Sequence, residues 1–225
     1  YGSNAVGGVI NIITRNPEKS LQIAANTRFA SENELNNGLT ISTRQKWGYA
    51  SVTGNMKQRD PYTLKDRIPL TQEFEDGTIK EQFLSETIIA GYKDYNVSGK
   101  VGVDVTDKLL IEAKGGYFFK ERNPGGLDGH KVRDHYFNYS GGLKAQYTFS
   151  ENKHLALSGN YDTYNKYDYY RLLKEKEKNY ENSQWRVGAI YDQKIGREHL
   201  LVAGFEVFSD DLMTFMFESD GSNAK

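Results

Sequence analysis

From Phe137 to Phe149 the chain alternates without a break. Phe137, Tyr139, Gly141, Leu143, Ala145, Tyr147 and Phe149 hold the odd positions, and Asn138, Ser140, Gly142, Lys144, Gln146 and Thr148 hold the even ones. Successive side chains of an extended strand leave on opposite faces, so this stretch has one apolar face with aromatics at both ends and one polar face. Residues 109–119 repeat the pattern: Leu109, Ile111, Ala113, Tyr117 and Phe119 alternate with Glu112 and Lys114, although Leu110 and Phe118 interrupt the polar side. Residues 95–106 set Tyr95, Val97, Val101, Val103 and Val105 opposite Asn96, Ser98, Lys100, Asp104 and Thr106. Alternation sustained this long exceeds the usual soluble strand of about five or six residues.

Read this way, the sequence predicts nine strands, at 20–30, 38–46, 49–60, 86–106, 109–122, 135–149, 154–166, 182–195 and 199–217. Every second connection is short and turn-like: Lys46-Trp47-Gly48, Thr106-Asp107-Lys108, Ser150-Glu151-Asn152-Lys153 and Ile195-Gly196-Arg197-Glu198. The intervening connections, 61–85, 123–134 and 167–181 with a shorter one at 31–37, are polar and are expected as loops on the opposite side. The balanced run Lys174-Glu175-Lys176-Glu177-Lys178 suits a solvated loop face with room for a short helix.

Composition narrows the surroundings in which such strands are stable. Tyr (16) and Phe (11) are abundant, yet the mean hydropathy is -0.71, and no run approaches the roughly 18 apolar residues of a membrane-spanning helix. A chain this polar crosses a membrane only as a β-barrel, whose strands show lipid every second residue and carry aromatics at the interfaces. The alternative is a soluble β-rich domain. A formal net charge of -1 argues against nucleic-acid binding, and the absence of Cys excludes disulfides, thiolate metal sites and cysteine nucleophiles.

The opening string, Tyr1-Gly2-Ser3-Asn4-Ala5-Val6-Gly7-Gly8-Val9-Ile10-Asn11-Ile12-Ile13-Thr14-Arg15, is by itself a glycine turn leading into a short strand. As a whole it resembles the last segment of the plug domain of TonB-dependent outer-membrane receptors, and Ala5 to Asn11 look like the siderophore, haem and cobalamin branch. The resemblance implies a plug end over residues 1–17, with Tyr1, Gly2, Ser3, Gly7, Gly8 and Asn11 as its motif. It also implies the first part of a transmembrane barrel over 18–225: about nine antiparallel strands of an expected 22 or so. The chain is then expected to be an internal fragment of a longer receptor in the outer membrane of a Gram-negative bacterium.

The resemblance further implies energy-coupled uptake of a scarce nutrient: a ferric siderophore first, otherwise haem or cobalamin. TonB would be contacted through the missing N-terminal region, and no cofactor or catalysis is implied. A plug entering from the periplasm sends the first strand outward, which places short turns after even-numbered strands, as the pattern has them. The rival functions are a passive outer-membrane pore and a barrel-anchored adhesin, neither of which accounts for the opening string.

Candidate ligand contacts lie in the outer loops. Tyr167, Tyr169, Tyr170 and Arg171 combine flat aromatic surfaces with a cation, suited to a chelate bearing rings or negative charge. Of the four His, His154 and His199 sit beside predicted short turns, whereas His130 and His135 fall at the third outer loop and are the candidates for holding haem or a metal. Their spacing matches no helical ligand motif. The glycine-rich Asn123-Pro124-Gly125-Gly126-Leu127-Asp128-Gly129 leads to a strand and lacks a phosphate-loop Lys, so it reads as a loop tip. Glu112, Asp104 and Asp192 share the polar parity with Lys114, Lys100 and Lys194, and no nucleophile–base–acid constellation is present.

Overall fold

The computed structural model describes residues 16–64, 69–73, 75, 79–83, 87–125, 131–196, 198–217 and 223–224. The opening motif (Tyr1, Gly2, Ser3, Gly7, Gly8, Asn11) and His130 lie outside them. Nine strands form one antiparallel sheet: β1 (Gln22–Ala30), β2 (Glu34–Gln45), β3 (Gly48–Arg59), β4 (Gly91–Thr106), β5 (Leu109–Asn123), β6 (Val132–Ser150), β7 (Lys153–Tyr170), β8 (Glu175–Ile195) and β9 (His199–Thr214). Each pairs with its sequence neighbour and nothing crosses over, which is the meander that builds an up-and-down barrel wall. Short strand pairs, Tyr62–Leu64 with Thr87–Ile89 and Pro69–Glu73 with Ile79–Phe83, occupy the long β3–β4 connection.

Between the bulges the register places alternate residues of each strand on opposite faces. Val103, Ile111, Ala145, Leu157, Ala189 and Phe205 run across β4 to β9 as one outward row, and Val101, Ala113, Leu143, Gly159, Val187 and Val207 form the row above it. The other face carries Asn96, Lys100, Lys114, Ser140, Lys144, Asn160 and Arg186. Gln22 and Ala24 of β1 share one cavity with Asn160 and Asp162 of β7, so the sheet curls around its polar face.

This sheet has almost no interior. Among the described residues Tyr49 is the one fully buried large side chain, whereas Leu143 (65%), Phe205 (66%), Ile23 (62%) and many other apolar residues stand exposed on the outward face. A water-soluble domain of this length hides such side chains in a core, because fully burying each one contributes about 1.5–3 kcal/mol. Here burial requires an apolar surrounding on the outward face.

The turns explain where strands reverse. At Ser31–Glu34 both central residues have positive φ (Glu32 59°, Asn33 54°) and the Glu34 amide donates to the Ser31 carbonyl (3.1 Å), the primed turn that matches strand twist. The Asn33 side chain also donates to Asp60 at 2.7 Å. At 107–108 the Thr106 hydroxyl accepts from the Lys108 and Leu109 amides (3.2 and 3.0 Å).

Two predicted loops are largely strand. Residues 34–37 belong to β2, and 167–170 and 175–181 extend β7 and β8, leaving Arg171–Lys174 as a tight turn with Lys174 at φ 56°. Glu175–Lys178 is therefore strand, and no short helix forms there. His135 likewise sits three residues inside β6 instead of in a loop. Two of the four connections on the long-loop side are thus as short as those opposite, while short turns do follow β2, β4, β6 and β8.

Candidate functional site

Near the short turns, the polar face is built around Tyr49 at the start of β3. Its ring is fully covered (0% exposed) and its hydroxyl donates to Glu112. Gly102 makes the space: a Cβ there would collide with the ring. Lys100 lies over one part of the ring at 5.4 Å and pairs with Glu112 at 3.8 Å; Arg44 lies 5.5 Å from the ring centre and is bonded to Asp104 at 2.6 Å. Lys100 of this cluster, together with β2, holds the strand-leading segment. The Lys100 ammonium donates to Asn16 (2.9 Å), the Arg44 amide to the Lys19 carbonyl (2.8 Å) and the Thr43 hydroxyl to the Ser20 carbonyl (2.6 Å).

Above it, small hydroxylated residues leave a cavity of about 700 Å³, lined by Thr40, Ser42, Ser51, Thr53, Ser98 and Ser140 with Lys100, Lys114, Asn160 and Asp162, and floored by Asn16–Lys19. Toward the long-loop rim the polar face becomes aromatic and charged. Tyr136, Tyr164 and Tyr180 stack across β6, β7 and β8 with ring centres 6.0 and 6.1 Å apart. Lys166 bridges Asp134 (3.3 Å) and Asp168 (3.8 Å), and Arg122 reaches Asp134 at 3.5 Å. Arg59 lies between Tyr62 (5.3 Å) and Tyr92 (5.1 Å). Flat rings beside fixed cations can hold an anionic or ring-bearing solute. They supply no activated nucleophile.

The outward face has its own cluster. Phe119 and Phe137 close the aromatic belt, and two positions beyond them Glu121, held by Arg133, accepts from His135 Nε2 at 3.0 Å. The His135 ring stacks on Tyr169 (4.6 Å) and meets Phe119 edge-on (5.2 Å), and its Nδ1 has no partner among the described residues. The carboxyl of Glu121 falls from 4.5 to about 2, first through the His135 hydrogen bond; burial opposes this and Arg133 adds to it. Lys93 of β4 and Tyr167 of β7 face the pair in register.

A depressed carboxyl stabilises above its unfolded value, and that stability is lost as pH falls from about 4.5 toward 2. At about 1.4 kcal/mol per unit, Glu121 contributes at most about 3 kcal/mol. Amide-exchange protection at the outer ends of β5, β6 and β7 is expected to drop between pH 5 and pH 3 in the wild type. It is expected to be low at both in Glu121→Gln, and equal pH responses would refute this.

The structure separates the ligand candidates read from sequence. Tyr167 and Tyr169 project from the outward face, Tyr170 turns to the polar face and donates to Glu177 at 2.9 Å, and Arg171 is exposed in the turn. His135 also faces outward, away from the cavity. What the sequence reading missed is the tyrosine stack and the Tyr49 cluster. The signal for the stack was available: Tyr136, Tyr164 and Tyr180 hold polar-parity positions, where an aromatic breaks the alternation.

Among the described residues no group of three His, Cys, Asp or Glu is placed to hold a metal ion. No protein-family model matches the sequence, and no curated protein matches it. Among solved structures the chain is similar to the copper transporter OprC, at 16% identity and a TM-score of 0.57. The match covers 93% of this chain and 31% of that one, so the chain spans about a third of that transporter's length. The likeness establishes the fold: this sheet is a section of the same kind of barrel.

Proposed function

We propose that this chain is a section of an outer-membrane receptor of the TonB-dependent kind, comprising a plug end at 1–17 and the first nine strands of its barrel at 18–225. The observation that carries it is the sheet with an apolar, exposed face on one side and a cavity-lining polar face on the other, in the fold of a transporter barrel. Unpaired backbone groups at the edges β1 and β9 cost several kcal/mol each in lipid, so the wall closes with further strands of the intact receptor. The resemblance of Tyr1–Arg15 to a plug end supports gated uptake over a passive pore or an adhesin.

Ligand enters along the polar face, past the tyrosine stack and Lys166, toward the cavity. Transport is then a rearrangement of the plug with no covalent chemistry. Aromatic rings beside cations favour a ferric siderophore as cargo, ahead of haem and cobalamin. Copper ion, named in the matched transporter, joins the screen.

Uptake of these ligands by cells expressing the intact receptor, with and without TonB, tests the reading. Uptake of one of them that disappears without TonB is expected, and uptake indifferent to TonB would contradict it. Replacing Tyr169, Tyr170 and Arg171 together is expected to weaken capture without reducing barrel assembly. Since Tyr170 alone faces the polar side, Tyr170→Ala should account for most of that loss.

A further inference from the structure

We propose that the polar face of β6 to β9 carries a saccharide-binding strip, centred on Tyr164, that takes the neutral, hydroxyl-bearing portion of a ligand. The proposal shares with the receptor reading only that this face lines a lumen. Asn138, Tyr164 and Asn182 form one cross-strand row, with Tyr136, Lys166 and Tyr180 in the row above it. The tyrosine planes are inclined by 29° and 28° at ring-centre distances of 6.0 and 6.1 Å, so ring faces follow one another over three strands.

The polar groups beside these rings decide the ligand. Asn138 spends both amide hydrogens, on Asp162 (2.8 Å) and on the Thr163 carbonyl (2.7 Å), so its Oδ1 is what it offers the lumen. Asn182 donates to Asp210 at 2.6 Å, and Asn179 to Asp168 at 3.0 Å. Each pair fixes two planar groups and, among the described residues, leaves acceptors over: the second oxygens of Asp162 and Asp210, and the Asn179 Oδ1. Lys166, beside the rings, is already held between Asp134 and Asp168.

Ring faces edged by acceptors fit a solute with apolar faces and hydroxyl donors around its rim. A pyranose has that distribution: its C–H groups meet the negative ring face while its O–H groups reach the carboxylates. An anion brings further acceptors and is repelled. Its place is across β5, where Lys57 and Lys120 flank Asp94 in one row and Arg59 and Arg122 flank Tyr92 in the next.

The test uses the intact receptor in nanodiscs, titrated calorimetrically with maltohexaose, cellohexaose and, as the anionic counterpart, hexagalacturonate. Binding of a neutral hexaose is expected, with the galacturonate at least about tenfold weaker. Tyr164→Ala should weaken neutral binding about tenfold, and Asp162→Asn with Asp210→Asn by at least as much. Tyr164→Phe, which keeps the ring, and Tyr161→Ala, on the outward face of the same strand, should bind like the wild type; heat-modifiable mobility confirms that each variant assembles. Labelled hexaose that accumulates in cells with TonB identifies free sugar as the ligand, and binding without accumulation assigns the strip to sugar carried on a chelate. No neutral binding by the assembled wild type, or affinity unchanged by Tyr164→Ala or by the galacturonate carboxylates, would overturn the strip and leave the receptor reading untouched. That reading fails separately, if uptake is indifferent to TonB.

Discussion

Leu143→Arg is expected to cost about 2–4 kcal/mol of folded stability in a bilayer, because it places a cation at mid-depth on the lipid-facing side. Leu143 is 65% exposed in the isolated wall, so in water the same change would be nearly neutral; the cost arises from the surrounding solvent and not from a lost packing contact. Three residues along, Gln146→Arg on the polar face should stay within about 0.5 kcal/mol. Val101→Arg and Val187→Arg lie on β4 and β8, far enough apart to add, so the pair should cost about 4–8 kcal/mol and abolish assembly. Heat-modifiable mobility and urea unfolding of the intact receptor from vesicles read these effects. Equal costs for Leu143→Arg and Gln146→Arg would remove the distinction between the faces.

Tyr49→Ala carries the second large effect. It empties a fully covered site, takes the donor from Glu112 and removes the ring on which Lys100 and Arg44 rest. Truncation of a buried aromatic costs about 3–5 kcal/mol, and Tyr49→Phe, which removes only the hydroxyl, about 1–2 kcal/mol. Gly102→Val should approach the alanine cost from the opposite direction, since its side chain takes the space the ring fills. Because Lys100 of the cluster also bonds Asn16, these variants should speed proteolysis of the segment leading into β1 before they unfold the wall. Unfolding midpoints and cleavage rates that match the wild type would show the cluster to be incidental.

The belt was legible in the sequence and the rims were not. Within the belt one face must be apolar and the other polar, so Phe137–Phe149 declares its period of two residue by residue. Beyond it both faces meet water and polar headgroups, the alternation vanishes, and residues 167–181 look like a loop although most of them form the top of a tall hairpin. For the same reason Tyr167, Tyr169 and Tyr170 read as one aromatic cluster while the strand distributes them over two faces. The Tyr49–Glu112 bond joins residues 63 apart, a distance no local pattern encodes. His135 shows the opposite case: its parity with Phe137 already placed it outward, once the strand was known to begin at Val132.

Single nitroxide labels at positions 140 to 147 of the intact receptor in bilayers measure directly which face of β6 meets lipid. At the odd positions, collisions with oxygen should exceed those with a water-soluble nickel chelate, and the order should reverse at every even position. Chelate access at 141, 143, 145 and 147 equal to that at their even neighbours would contradict the account.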